Sequence, residues 1–296
     1  MAWRFPPGAF VPPLLALSFS GVCLSRLLRG SREWPSFFPA LAAFVCVFLF
    51  FLQLRFIDEF RDAGAAAPRR PGPPVPLGLP SLRQIGRALA VAAVVQVIFA
   101  AVLSPRALLP LAAVWACMAL AAKEFLVASR IRPRLRARVW GRVLAAPLIY
   151  FFAASCDWLP RQAAPPPGLV LFLAVAFFNG LLVELGRGIR PPAPERTGAG
   201  ASGSRGGPRK ALRAHRVVLL LSFHGTMLAG SRLDFFLPTV LVMSVLLMLV
   251  LRVGSNFLDD PRAGSGKKLE TYSGLFVMAS YLFMGVIPLG AAQWTR

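Results

Sequence analysis

The sequence breaks into nine runs of mostly apolar residues, 8–28, 36–57, 84–104, 107–127, 140–157, 168–186, 216–231, 234–253 and 272–293, set apart by clusters of charge or proline. A helix that crosses a membrane needs roughly 20 such residues, so the runs predict an all-α, polytopic membrane bundle of about nine helices. The run at 216–231 is the weakest, because its uncharged core is short and leads almost directly into the next. Eight spans is the alternative count. Composition agrees: 56% of residues are hydrophobic and only 15% charged, where a soluble domain carries about 25% charged. We read residues 1–296 as one transmembrane domain, with cytoplasmic links near 58–83, 128–139, 187–215 and 254–271.

The charge is one-sided, with 33 Lys and Arg against 12 Asp and Glu and a formal net charge of +21. In a soluble chain this balance would point to nucleic acid, but no segment is long and polar enough to form a water-exposed basic domain. A nucleic-acid partner is therefore excluded. Sorting the charges by link explains the excess. The links after the second, fourth, sixth and eighth runs with the run ends that border them, together with Arg4, hold 25 of the 33 basic residues. Because cytoplasmic loops carry the surplus of Lys and Arg, the N-terminus is expected in the cytoplasm and the C-terminus outside, although Arg26, Arg29 and Arg32 run against the trend. The four cysteines (Cys23, Cys46, Cys117 and Cys156) lie in apolar runs without a C-x-x-C pair, so neither zinc nor a disulfide framework is indicated. The first run has no small-residue cleavage site leading into a soluble domain, and we read it as a membrane helix.

Acidic residues are few, and near a membrane span a carboxylate is costly unless it has a partner or a task. Most of them fall at the cytoplasmic ends: Asp58, Glu59 and Asp62 after the second run, Glu124 near the end of the fourth, Glu184 on the sixth, and Asp259, Asp260 and Glu270 in the last link. Asp58 and Asp62 are spaced i, i+4 at a helix end, which points both carboxylates the same way from successive turns. Mg²⁺ takes oxygen ligands and binds through one or two carboxylates plus substrate phosphates, so this pair suits a magnesium diphosphate. The bland alternative is charge pairing with Arg55 and Arg61 on a solvated helix end.

Several phrases extend the pattern: Arg55-Phe-Ile-Asp-Glu-Phe-Arg-Asp62 followed by Pro74-Val-Pro-Leu-Gly, Lys123-Glu-Phe-Leu-Val127, Cys156-Asp-Trp-Leu159, Glu184-Leu-Gly-Arg-Gly-Ile-Arg-Pro191, and Lys267-Lys-Leu-Glu-Thr-Tyr-Ser-Gly274. Across nearly the whole chain this order resembles the UbiA superfamily of intramembrane prenyltransferases. The resemblance implies a nine-helix fold and transfer of a prenyl group from an allylic diphosphate to an acceptor. It implies Mg²⁺ as cofactor, a prenyl diphosphate and membrane lipid as partners, and residence in a bacterial plasma membrane. Carried over by position, Asp58 and Asp62 become catalytic metal ligands with Glu184 as a further ligand. Arg83, Arg87, Lys123 and Arg187 become contacts to the diphosphate.

The resemblance also departs from the family pattern. The third aspartate of the first motif falls at Ala66, the arginine of the Pro-Val-Pro-Arg-Gly phrase is Leu77, and the Gly/Ser-rich run 197–207 stands where acidic residues are expected. These departures keep two alternatives open: a membrane terpene cyclase of the same family, and a UbiA-like subunit that binds lipid or a partner without catalysing. A permease finds little support, since apart from Lys123, Glu124 and His224 the runs offer few ionisable groups away from their ends to mark a solute path. His224, beside Ser222 and Thr226, reads as a hydrogen-bonded packing residue rather than a base. Lys123 either snorkels to the surface or serves the diphosphate. The arginines from 130 to 138 suit anionic headgroups.

Overall fold

A computed structural model describes the backbone of residues 7–66, 82–128, 135–189, 207–259 and 263–294, and the side chains of 11–57, 83–121, 143–189, 209–259 and 266–294. These residues form ten helices: α1 (Pro7–Leu28), α2 (Phe37–Ala66), α3 (Leu82–Leu103), α4 (Leu108–Ala128), α5 (Leu135–Trp158), α6 (Leu169–Gly188), α7 (Gly207–Arg232), α8 (Phe236–Asp259), α9 (Ala263–Met284) and α10 (Val286–Trp294). No strand occurs among them. Each of the nine apolar runs coincides with a helix, and the ninth is divided between α9 and α10, which meet at a bend of 44°. The bend follows from Pro288: it has no N–H to donate to the Met284 carbonyl, and its ring clashes with a helix continued through that position.

Six helices are individually long and apolar enough to cross a membrane, and the α9–α10 pair makes a seventh. The protein is an integral membrane protein. α7 falls outside that set because its first turns carry Arg209, Lys210, Arg213 and Arg216, so that its apolar part begins only at Val217. α2 runs on to Ala66, well past the apolar boundary expected at residue 57.

The chain divides into two compact units, one of residues 1–22 and 35–165 and the other of residues 23–34 and 166–296, so the division falls within α1. In the first unit α2 packs on α3 and α5, and α4 packs on α5. With few charges available, helix contacts rest on close packing and on buried amides and hydroxyls. A Cβ added to Gly21 would stand 2.9 Å from Ala153 Cβ and 3.1 Å from the Ala154 backbone nitrogen, so only glycine lets α1 lie this close to α5. Ser20 and the Tyr150 hydroxyl share a hydrogen bond of 3.2 Å across the same contact. Phe50 and Phe152 meet edge to face at 5.4 Å in the interior.

In the second unit α6 packs on α7 and α9, α7 on α8, and α8 on α9. A closed polar network ties three of these helices. Asn179 on α6 donates to Ser280 on α9 at 3.1 Å and accepts from Ser222 on α7 at 2.5 Å, while Thr226 and Ser280 share a bond of 2.8 Å. All four side chains are fully buried. The turn between α7 and α8 places Asp234 at a φ of 53°, a left-handed conformation that aspartate tolerates better than most residues.

Candidate functional site

In the first unit, the helical backbone of α2 continues through positions 58 and 62, which puts them on successive turns of one face. Gln53 sets the register with the next helix. Its Nε2 donates to Gln96 Oε1 on α3 at 2.9 Å, and Gln96 Nε2 in turn donates to the Cys46 carbonyl at 3.1 Å. At about 1.5 Å per residue, Asp58 and Asp62 lie roughly 7 and 13 Å beyond Gln53 along α2. Arg87 and Arg83 lie roughly 13 and 19 Å from Gln96 along α3, towards the end joined to α2 by residues 67–81. Both arginines are exposed. The structure therefore gathers the two aspartate positions and the two arginines at one end of the α2–α3 pair. The side chains of Asp58, Asp62, Ala66 and Lys123 lie outside the described residues, as do Leu77 and the arginines from 130 to 138. Lys123 is placed on the last turns of α4 by its backbone.

In the second unit, Glu184 and Arg187 sit on the last turns of α6. Arg187 Nη1 donates to Glu184 Oε1 at 3.0 Å, and Arg187 Nε lies 3.4 Å from Glu270 Oε1 on α9. Glu184 is mostly buried, while Arg187 and Glu270 are about half exposed. One guanidinium thus bridges two carboxylates from different helices. Among the described residues, no three His, Cys, Asp or Glu side chains stand close enough together to hold a metal ion.

Beside Gly186 of α6, His215 on α7 bonds Ser273 on α9 at 2.9 Å. The Ser273 hydroxyl already donates to the Leu269 carbonyl at 2.8 Å. It must therefore accept from His215, which makes Nε2 the protonated nitrogen of the neutral ring. Gly186 completes the contact, since a Cβ there would lie 3.7 Å from Ser273 Oγ and 3.8 Å from His215 Nε2. His215 stands just before the apolar stretch of α7. Burial, helped by the neighbouring Arg216 charge, pushes its pKa down to about 4.

Sequence reasoning misses Gln53, Gln96, Trp115 and His215. The amides carry a legible signal, an uncharged polar side chain inside an apolar run. Trp115 Nε1 adds a third bond to Gln96 Oε1 at 3.1 Å. Glu270 is legible as one of few acids, but nothing in its spacing joins it to Glu184. His224 proves to be hydrogen-bonded, its Nδ1 to the Leu220 carbonyl at 2.7 Å, yet it is exposed rather than packed. Its neighbours Ser222 and Thr226 turn inward to the network around Asn179.

No protein-family description matches the sequence, and no curated protein is similar to it in sequence. In structure, the chain is similar to a solved structure concerning digeranylgeranylglyceryl phosphate synthase in membranes. The likeness has a TM-score of 0.55 at 13% identity and covers 95% of this chain and 98% of the other. The two share one fold over almost their whole lengths.

Proposed function

We propose that this chain, which has the fold of a membrane prenyltransferase, transfers a prenyl group from an allylic diphosphate to an acceptor nucleophile. The observation that carries the reading is the end of the α2–α3 pair, where positions 58 and 62 share a helix face and Arg83 and Arg87 stand at the same end. In such a transfer the allylic C–O bond breaks and pyrophosphate leaves with the electron pair. The acceptor then bonds to the prenyl carbon and gives up its proton. Negative charge grows on the leaving group, so cations held near it lower the barrier. Arg83 and Arg87 are assigned that task, with Lys123 as a further contact.

Two carboxylates on adjacent turns fit the donor set that Mg²⁺ takes, one or two carboxylates completed by phosphate oxygens. Asp58 and Asp62 would hold the ion. When bound, Mg²⁺ supplies charge neutralisation of the diphosphate. The charge distribution supports a cytoplasmic N-terminus and an external C-terminus, and the family resemblance supports a bacterial plasma membrane.

The test is pyrophosphate release by purified protein from geranylgeranyl diphosphate with and without Mg²⁺. We expect release that needs Mg²⁺ and that falls at least 100-fold in the Asp58→Asn/Asp62→Asn double variant. Unchanged release in that variant would remove both residues from the site. A second reading, a UbiA-like subunit without catalysis, is favoured by one observation: Arg187 closes on Glu184 and Glu270, as a structural tie would. It predicts no release from any prenyl diphosphate.

A further inference from the structure

The α7–α8 pair carries a surface that the prenyl-transfer reading does not use. Three contacts fix the two helices as antiparallel. Gly230 faces Thr239 so closely that an added Cβ would lie 2.8 Å from Thr239 Oγ1. Arg216 Nη2 donates to Ser255 Oγ at 2.9 Å, and Gly254 lies against Leu212. On α8, positions 241, 245, 248, 252 and 255 follow one another at i+3 or i+4 and so form a single stripe. Leu241, Val245 and Met248 on it are 61%, 61% and 66% exposed. The stripe then changes character, to Arg252 and Ser255, both exposed. On α7, positions 209, 213, 216 and 220 form the matching stripe in the opposite chain direction, with exposed Arg209 and Arg213, then Arg216, then Leu220 at 41% exposure. The bond from Arg216 to Ser255 joins the stripes, so they face the same side.

The result is an apolar track on α8, flanked by Leu220 of α7, that ends in a cluster of arginines. From Leu241 to Arg252 the track is roughly 16 Å long at 1.5 Å per residue. The two helices contain one acidic residue, Asp259. Arg216 is also incompletely satisfied. Its Nη2 is taken by Ser255, while its Nε is buried without a hydrogen-bond partner. A buried guanidinium N–H left without an acceptor is costly. The planar guanidinium fork of the neighbouring exposed arginines matches phosphate geometry.

We propose that the α7–α8 face is a binding site for an anionic glycerophospholipid. Its acyl chains lie along Leu220, Leu241, Val245 and Met248, and its phosphate meets Arg213, Arg216 and Arg252. Charge complementarity selects an anionic over a zwitterionic headgroup, since each basic side chain near a negative lipid surface favours binding. The site is independent of the prenyl-transfer reading, because neither Asp58 nor Asp62 takes part.

The experiment is native mass spectrometry of the delipidated full chain in detergent, titrated with dioleoylphosphatidylglycerol or dioleoylphosphatidylcholine. The chain should bind phosphatidylglycerol more tightly, and Arg213→Gln/Arg216→Gln should weaken that first binding roughly tenfold while leaving phosphatidylcholine unchanged. Lys267→Gln/Lys268→Gln, which removes the same charge from exposed positions on α9, should change it less than twofold. Equal weakening by both pairs, or no preference for phosphatidylglycerol in the unaltered chain, would overturn the proposal. Displacement of bound phosphatidylglycerol by geranylgeranyl diphosphate would also overturn it, assigning the arginines to substrate instead.

Discussion

Arg187 on α6 places its Nε 3.4 Å from the Glu270 carboxylate on α9 while its Nη1 holds Glu184 at 3.0 Å. The guanidinium thereby keeps two carboxylates from facing each other unshielded. It is also half exposed, so water screens the pairs and limits what they contribute to stability.

Arg187→Gln should therefore lower stability by no more than about 1 kcal/mol. If Arg187 also contacts the diphosphate, its loss should raise the KM for the prenyl diphosphate roughly tenfold, the cost of one charge-assisted bond. Thermal unfolding in detergent alongside steady-state kinetics separates the two. A drop in kcat at unchanged KM would argue against a role in substrate binding.

Gln96 and Gln53 are predicted to differ although they share a hydrogen bond. Gln96 is bonded to Gln53, Trp115 and the Cys46 carbonyl, so Gln96→Leu should cost about 1–2 kcal/mol. Gln53 leaves its own Oε1 buried without a partner. Gln53→Met removes that unsatisfied acceptor and should cost less. Denaturant titration of both variants checks the order, and a larger loss from Gln53→Met would contradict it.

Two glycines should respond unequally to alanine. At Gly21 the new Cβ meets the Ala153 and Ala154 backbone, which cannot yield without separating α1 from α5. At Gly225 it meets Val175 Cγ2 at 2.9 Å, the end of a side chain that can shift. Gly21→Ala should cost about 1–3 kcal/mol and Gly225→Ala less. Comparing their unfolding midpoints tests this.

His215 predicts a pH dependence of stability with a definite sign. Its pKa in the folded protein, about 4, lies below the ordinary value of 6.5, so the unfolded chain binds the proton more readily. Stability is therefore full above pH 6.5 and falls as the pH drops towards 4, by up to about 3 kcal/mol. His215→Gln should flatten that part of the stability profile. An unchanged slope between pH 6.5 and 4 would show that another group carries it.

Helix content was legible because lipid allows one simple signal, an apolar run long enough to span, and all nine runs coincide with helices. The break at Gly285 comes from Pro288, but hydropathy does not mark it, since the apolar run continues through it. Asp58 and Asp62 were legible as a pair because i, i+4 spacing is a local property of one helix. Arg83 and Arg87 were legible by sequence position alone, and the Gln53–Gln96 bond is what places them at the aspartate end. Glu270 against Arg187, and His215 against Ser273, join residues far apart in the chain. No local spacing encodes such a meeting.

The sequence by itself determined a membrane helix bundle and its charge asymmetry, because hydropathy and charge act through the surrounding solvent and need no partner. It also determined the helix face that carries the aspartate pair. Only the tertiary structure decided which polar groups are buried together, where Arg187 finds its second carboxylate, and that the arginines of α7 and α8 share one face. Those outcomes depend on helix register, which is set by close contacts such as Gly21 on Ala153 and Gly230 on Thr239. Packing of that kind is specified jointly by two segments and can be read from neither alone.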